Sequence, residues 1–317
     1  VLAVVLVPAI AWGQERGASW SYLIDKLTTD GIDRQRAVGL FADPRMPAFT
    51  GLDFSLGARE SRVLYRGFLR APSLVAARRC RVEHATSLEE AERTTGVSAD
   101  VVAAILHVET GCGRNTGSTP IVYRLARLAM ANEPANLHAN VERIAGDSDE
   151  VAERVRERAR YLEDTFYPEV RAVFELGDRL GVDPLTLRGS PSGALGVPQF
   201  LPTSVLRYGT DGDGDGRVDL FDVEDGAASC ARYLAAEGWR PGLSVSGRRE
   251  VIWHYNRSDA YVDTVLAIAR SLGGERLPPP VTVVRASATH HPRHASKRAP
   301  ASRHHPTRRV VASTIAG

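Results

Sequence analysis

A mainly α-helical fold is what this sequence of 317 residues predicts, and three features predict it. Apolar residues recur at spacings of three and four, the period of a helix with one buried face. Helix-opening and helix-ending signals recur along the chain, with Ser or Asp at the starts and Gly at the ends. Runs that alternate apolar and polar residues, the mark of strands, are scarce. Apolar residues make up 43% and charged residues 25%, ordinary values for a soluble globular chain. Those values exclude a wholly disordered or fibrous protein.

The first element is Val1 to Ile10, an almost unbroken apolar run, followed by the small-x-small triplet Ala11-Trp12-Gly13. It reads as a secretory signal peptide over residues 1–13 with its start truncated. The alternative is a membrane anchor, but the run is shorter than the ~20 residues that a spanning helix needs. No Cys lies near the cleavage site to carry a lipid, and no later segment is apolar enough to span a bilayer. An exported protein is therefore expected.

Residues 14–97 read as an N-terminal helical segment. Within it Ser87-Leu88-Glu89-Glu90 is a capping box that opens a helix closed by Gly96. Residues 98–274 read as the core of the chain. Ser98 caps a helix to about Val108, with Asp100 in its first turn, where a negative charge suits the helix dipole. A charged helix is expected from about Asp149 to Asp164 and another from about Pro168 to Gly181. Residues 182–222, rich in Gly, Pro, Ser and Asp, read as loops with short helical turns. Helices follow over Asp222–Glu237, stopped by Gly238, and Ser258–Ser271. Residues 275–317 are rich in Pro, Ser, Ala, Arg and His, and lack the apolar residues that offset ordering entropy.

Net charge is +2, but it is unevenly spread. From Arg276 onward there are eight Arg or Lys and no acid, so the preceding residues stand at −6. Such a tail suits adhesion to anionic polymers of a cell envelope, or no function at all. Nucleic acid is not expected as the partner of an exported chain. Three cysteines, Cys80, Cys112 and Cys230, allow one disulfide and leave one thiol over. Spacing leaves the pairing open, and suggests no zinc site.

Two places carry chemistry. At 100° per residue, Val101, Val102, Ile105 and Leu106 share one face of the helix opened by Ser98, and Glu109 falls inside that arc while His107 points the other way. Burial disfavours a charged carboxyl, and a carboxyl kept protonated can act as a general acid. Gly111 and Gly113 let the chain turn away and leave Glu109 facing a cleft. A Glu at a frayed, exposed helix end is the plainer alternative. The second place is Asp211-Gly-Asp213-Gly-Asp215-Gly-Arg217-Val-Asp219-Leu-Phe-Asp222, an EF-hand-like calcium loop. Its oxygens fall at positions 1, 3, 5, 9 and 12, Arg217 offers its carbonyl at 7, and Gly216 allows the turn at 6. Position 12 is Asp rather than Glu. A metal-free Asp-Gly turn is the alternative, but like charges at these spacings repel without a cation. No organic cofactor is implied.

The stretch HVETGCGRNTG, then GSPSGALGVPQFLPTS, the calcium loop, and HYNRSDAYVDTVL recur in one order over roughly Ser19 to Leu272. In this the chain resembles the membrane-bound lytic transglycosylase B type, lysozyme-like enzymes of bacterial peptidoglycan. The resemblance implies a lysozyme-like catalytic core with the N-terminal segment packed beside it, and a periplasmic location. It implies cleavage of the β-1,4 bond between N-acetylmuramic acid and N-acetylglucosamine, leaving a 1,6-anhydro ring. Glu109 would protonate the leaving oxygen and then take the proton of the carbon-6 hydroxyl. No second carboxylate is implied, and the substrate's own N-acetyl oxygen would meet the positive charge. Ser190, Gln199, Tyr255 and Asn256 fall at the family's sugar-binding positions, and a Tyr hydroxyl could hold Glu109 or the N-acetyl group. Two departures stand out: Cys112 replaces an aromatic residue common after the Glu-Thr pair, and Leu195 replaces a Met. The other readings are a muramidase that uses water, a glycan-binding protein without catalysis, and a calcium-binding structural protein.

Overall fold

A computed structural model describes residues 17–57 and 62–273. Residues 1–13, expected to be a signal peptide, and the basic residues 275–317 lie outside those residues. The fold is mainly α, as expected, and among the described residues the strands amount to one two-residue antiparallel pair, β1 (Thr119–Pro120) with β2 (Arg188–Gly189).

The N-terminal segment gives α1 (Ser21–Thr29), α2 (Arg34–Ala42), a 3-10 turn (Arg62–Tyr65), α3 (Ala71–Glu83) and α4 (Ala85–Thr95). Asp33 caps α2 through the Arg36 N–H, as a short acceptor ahead of the first turn should. The capping box at Ser87 does not open α4. That helix begins two residues earlier, at Ala85, because His84 is held in place by Glu224 at 3.0 Å and α3 runs almost directly into α4. Gly96 ends α4 in the left-handed conformation, at φ 72°.

α5 (Ala99–Thr110) is the central helix, buried at Ala99 and from Val101 through His107. Ser98 stands at its N-cap position but makes no side-chain cap; Glu92 of α4 does so instead, accepting from the Ala99 N–H at 3.0 Å. Asp100 in the first turn is held by Arg81 of α3 at 3.0 Å. Thus α3, α4 and α5 share one apolar core, in which Ala77, Leu88, Val102 and Ile105 are buried together.

Helices α6 (Ile121–Ala129) and α7 (Pro134–Ala145) precede α8 (Asp149–Leu180). The two helices expected here are one helix of 32 residues, with Pro168 inside it. Pro168 removes a single N–H, whereas Phe166, Tyr167, Val170, Val173 and Phe174 around it are all buried, and that packing carries the helix through. Beyond it come α9 (Pro202–Tyr208), α10 (Val223–Ala236), α11 (Val245–Tyr255) and α12 (Asp259–Leu272). Ser258 caps α12 by accepting from the Tyr261 N–H. Among the described residues no helix is long and apolar enough to cross a membrane.

Candidate active site

Glu109 lies in the last turn of α5, half-buried, with its Oε1 accepting a hydrogen bond of 2.7 Å from the Tyr261 hydroxyl. Thr110 beside it is buried, donates to the Val197 carbonyl at 3.0 Å and accepts from the Gly113 N–H at 2.9 Å. Gly111 and Cys112 then leave the helix in the left-handed conformation. Their N–H groups close its last carbonyls, Cys112 to Leu106 at 2.9 Å and Gly111 to His107 at 2.9 Å. The helix end is therefore fixed rather than frayed.

Cys112 is bonded to Cys80, with Cα atoms 6.2 Å apart, which ties the turn after Glu109 to α3. Cys230 is the free thiol, fully buried in α10. His107 is buried on the opposite side of α5 from Glu109, as the helical period requires, with Nε2 2.8 Å from the Ser73 hydroxyl. Burial, and secondly the charge of Arg114, push its pKa down.

The loop 189–200 is bound to the segment that follows Glu109. Gln199 is buried and donates from Nε2 to the carbonyls of Thr116 at 3.2 Å and Gly196 at 2.9 Å. Ser190 closes a turn, its Oγ accepting from the Ala194 N–H at 3.1 Å while its hydroxyl can still donate. Glycines in this loop allow close approach of backbone. The approach the structure displays is to the protein's own chain: a Cβ on Gly189 would lie 2.0 Å from the Ala194 carbonyl oxygen, and one on Gly196 2.3 Å from that of Leu220. Among the described residues only two other than glycine have a left-handed φ, Cys112 at 59° and Gln199 at 52°. Both are at this site, where strained backbone tends to gather.

Tyr255 is fully buried and donates to the Pro198 carbonyl at 2.5 Å. Its ring stacks on that of Tyr261 at 6.4 Å, with 7° between the planes. The tyrosine that holds Glu109 is thus Tyr261, six residues on, and not Tyr255. Tyr261 stands in the third residue of α12, so the Ser258 cap sets its direction. Burial first, then the charge of Glu109, raises the Tyr261 pKa far above its usual value; for Tyr255 burial is followed by Cys230 and then Glu109. Both hydroxyls therefore stay protonated and remain donors. Asn256, next in the chain, is buried, and its Nδ2 has no hydrogen-bond partner.

The acidic loop 211–222 folds back on α10. Asp211 accepts from the N–H groups of Gly214 at 2.6 Å and Gly216 at 2.8 Å, Asp213 from Asp215 at 3.0 Å, and Asp215 from Arg217 at 2.8 Å. Asp219 accepts from Phe221, and Asp222 from the Glu224 N–H at 2.7 Å, so Asp222 serves as the N-cap of α10. The residue that reaches the front of the loop is Asp225, in the first turn of α10. It is buried and accepts from Gly212 and Asp219, both at 2.6 Å. Carboxylate oxygens of Asp211, Asp213 and Asp225 all lie within 4.8 Å of one another. An all-oxygen set of this kind fits a hard divalent cation. Asp225 was missed because it lies beyond position 12 of the loop pattern.

This chain belongs to the family described as the transglycosylase SLT domain, which matches residues 23–249. Over 164 residues it is 32% identical to membrane-bound lytic murein transglycosylase B of Escherichia coli strain K12, a stretch covering 52% of this chain and 38% of that protein. The chain thus spans well under two thirds of the curated relative it matches. Its fold is similar to that of the Escherichia coli lytic transglycosylase Slt35, solved in complex with bulgecin A, at a TM-score of 0.60 and 22% identity over 80% of this chain and 92% of that one. It is also similar to SltB3 of Pseudomonas aeruginosa, solved with NAG-NAM-pentapeptide, at a TM-score of 0.59 and 21% identity over 84% and 83% of the two chains. Slt35 has been solved with calcium as well, a structure matched at a TM-score of 0.59 and 22% identity over 80% and 92%.

Proposed function

We propose that this protein is a lytic transglycosylase of the bacterial envelope, cleaving the bond between N-acetylmuramic acid and N-acetylglucosamine without water. Its products would end in a 1,6-anhydro ring. The observation that carries this reading is a single half-buried carboxylate, Glu109, on a fixed helix end and held by a protonated tyrosine. Protonated Glu109 gives its proton to the glycosidic oxygen as that bond breaks. The resulting carboxylate then takes the proton of the carbon-6 hydroxyl, whose oxygen closes on the anomeric carbon. Tyr261 holds one carboxyl oxygen throughout, which directs the other toward the substrate.

The unpartnered Nδ2 of Asn256 supports a sugar-binding role, because a buried amide N–H without an acceptor is costly until a ligand oxygen meets it. Ser190 and Gln199 would line the same cleft, Ser190 through its free hydroxyl proton and Gln199 by holding the loop in shape. Tyr255 would act as support beneath Tyr261.

A hydrolytic muramidase needs a second carboxylate to activate water. The buried carboxyls of the described residues are committed elsewhere. Glu163 is held by Tyr22 and Lys26, Glu169 by Thr203, and Asp225 by the acidic loop. That commitment favours the intramolecular route.

Calcium would be held by Asp211, Asp213 and Asp225, with Asp215, the Arg217 carbonyl and Asp219 completing the loop and Asp222 capping α10. The ion would neutralise these charges and fix the loop to α10, a structural role. The partner is the glycan strand of peptidoglycan, and the basic residues beyond Arg276 would add adhesion to anionic envelope polymers.

The test is release of soluble fragments from purified peptidoglycan by the protein and by Glu109→Gln. The reading expects release by the former and loss of at least about a thousandfold in the latter, the scale of removing a general acid that also acts as base. Equal release by both would contradict it.

A further inference from the structure

A cleft of 820 Å³ opens between the extended segment 49–55 and helices α6, α7 and α8. Its cationic lining is Arg124, Arg127 and Arg158. Its acids are Glu133, which caps α7 through the Asn136 N–H at 2.7 Å, and Asp53, which pairs with Arg143 outside the lining. A second cleft of 520 Å³ shares Arg158 and adds Arg154, Arg257 and the acid Glu157. The two make one groove along α8.

Two guanidinium groups in this groove, those of Arg127 and Arg158, have no carboxylate partner among the described residues. Arg127 and Arg158 are half-buried, and the Nε–H of each is buried without a partner. Arg127 spends one terminal nitrogen on the Gly51 carbonyl and lies over the Tyr123 ring, while Arg158 lies over the Tyr161 ring, 5.2 Å from its centroid. Neither forms an ion pair among the described residues. Burial lowers the pKa of Arg158, the direction expected for a cation withdrawn from water without a counter-charge. A half-buried guanidinium without a counter-charge costs some stability on its own, and its planar fork matches a carboxylate.

The groove is also fixed in place. Asn136 and Asn140 of α7 bind the backbone of Leu52 and Phe54 as a neighbouring strand would, with Leu52 N–H to Asn136 at 2.7 Å and Asn140 to the Leu52 carbonyl at 2.9 Å. Arg124 donates to the Pro191 carbonyl at 2.6 Å, so the groove abuts the loop that carries Ser190. At its other end Arg257 follows Asn256 directly.

We propose that Arg127 and Arg158 form a carboxylate-binding site for the peptide stems of peptidoglycan, so that peptide-bearing strands are preferred to bare ones. This rests on the function proposed above. The peptide stem branches from the muramic acid unit and carries free carboxylates. A strand seated along Ser190 and Asn256 would bring those groups to a groove that touches both neighbourhoods.

The experiment measures binding of the Glu109→Gln protein to soluble peptidoglycan chains, either peptide-bearing or stripped of peptide by an amidase. The peptide-bearing chains should bind at least about tenfold more tightly, in line with one or two charge-assisted hydrogen bonds, and the gap should narrow with added salt. Adding Arg127→Gln and Arg158→Gln should bring the two affinities within about twofold while leaving the affinity for bare chains unchanged. The thermal midpoint of that variant should be equal or higher, since unpaired charge has been removed. Equal affinity of the Glu109→Gln protein for the two polymers would overturn the proposal, and so would a matched loss on both in the arginine variant. Cleavage of bare chains by the protein with Glu109 intact tests the catalytic reading separately, because it does not involve the arginines.

Discussion

The Tyr261 hydroxyl donates to the Glu109 carboxylate across 152 residues of sequence, at 2.7 Å, and the ring behind it is stacked on Tyr255 and met edge-on by Tyr65 at 6.1 Å. The acid is therefore oriented by a packed aromatic group whose hydroxyl burial keeps protonated. Tyr261→Phe keeps the ring and removes that bond. It should lower kcat by about ten- to a hundredfold with KM nearly unchanged, the size of one hydrogen bond to a charged group. An unchanged kcat would mean that Glu109 is oriented without the Tyr261 hydroxyl.

The disulfide between Cys80 and Cys112 closes a loop with a sequence separation of 32 and anchors the turn after Glu109. Replacing both cysteines by Ala should destabilise the protein by about 3 to 4 kcal/mol on the chain-entropy scale. The left-handed backbone at Cys112 should relax at the same time. Denaturant melts of the paired variant, with the rate of fragment release, would check both effects; a loss under about 1 kcal/mol would contradict the first.

Glu169 is a buried carboxyl in α8 that accepts from the Thr203 N–H and hydroxyl, and burial raises its pKa to about 7. The folded state therefore holds its proton up to a higher pH than the unfolded chain, whose carboxyl titrates near the ordinary value. Its contribution to stability is full below about pH 4.5 and is lost as pH rises toward about 7, a change on the order of 3 kcal/mol. Glu169→Gln should flatten that part of the stability–pH curve. An unaltered slope would place the titration elsewhere.

Calcium should raise the thermal midpoint, because Asp211, Asp213 and Asp225 crowd three carboxylates within 4.8 Å. At a hundredfold excess over its dissociation constant an ion that binds only the folded state adds about 2.7 kcal/mol. Asp225→Asn should abolish the gain while Asp222→Asn, a change at a helix cap, should keep most of it. The reverse order would restore position 12 as the ligand.

Much of this was legible in the sequence, and the losses have physical reasons. Glu109 could be placed because a helix repeats at 100° per residue, so one apolar arc is enough to assign a face. Ser258 and Gly96 marked helix ends because capping is local chemistry. Tyr261 lies within the stretch HYNRSDAYVDTVL with no local mark of its role, since its meeting with Glu109 is a tertiary contact between α5 and α12. The same holds for Glu92, which takes over the cap that Ser98 leaves unmade. Pro168 marked a break by local rule, and the buried aromatics around it overrode that rule. The arginine groove has no linear signature, because segment 49–55 and helices α6 to α8 contribute one side each.

The central claim is a reaction that uses the sugar's own hydroxyl in place of water. Digestion of purified peptidoglycan in water enriched in heavy oxygen, followed by mass spectrometry of the soluble products, tests it most directly. The account predicts products ending in 1,6-anhydromuramic acid with no solvent oxygen, and none from Glu109→Gln. Reducing ends that carry the heavy oxygen would contradict it and make the protein a hydrolase.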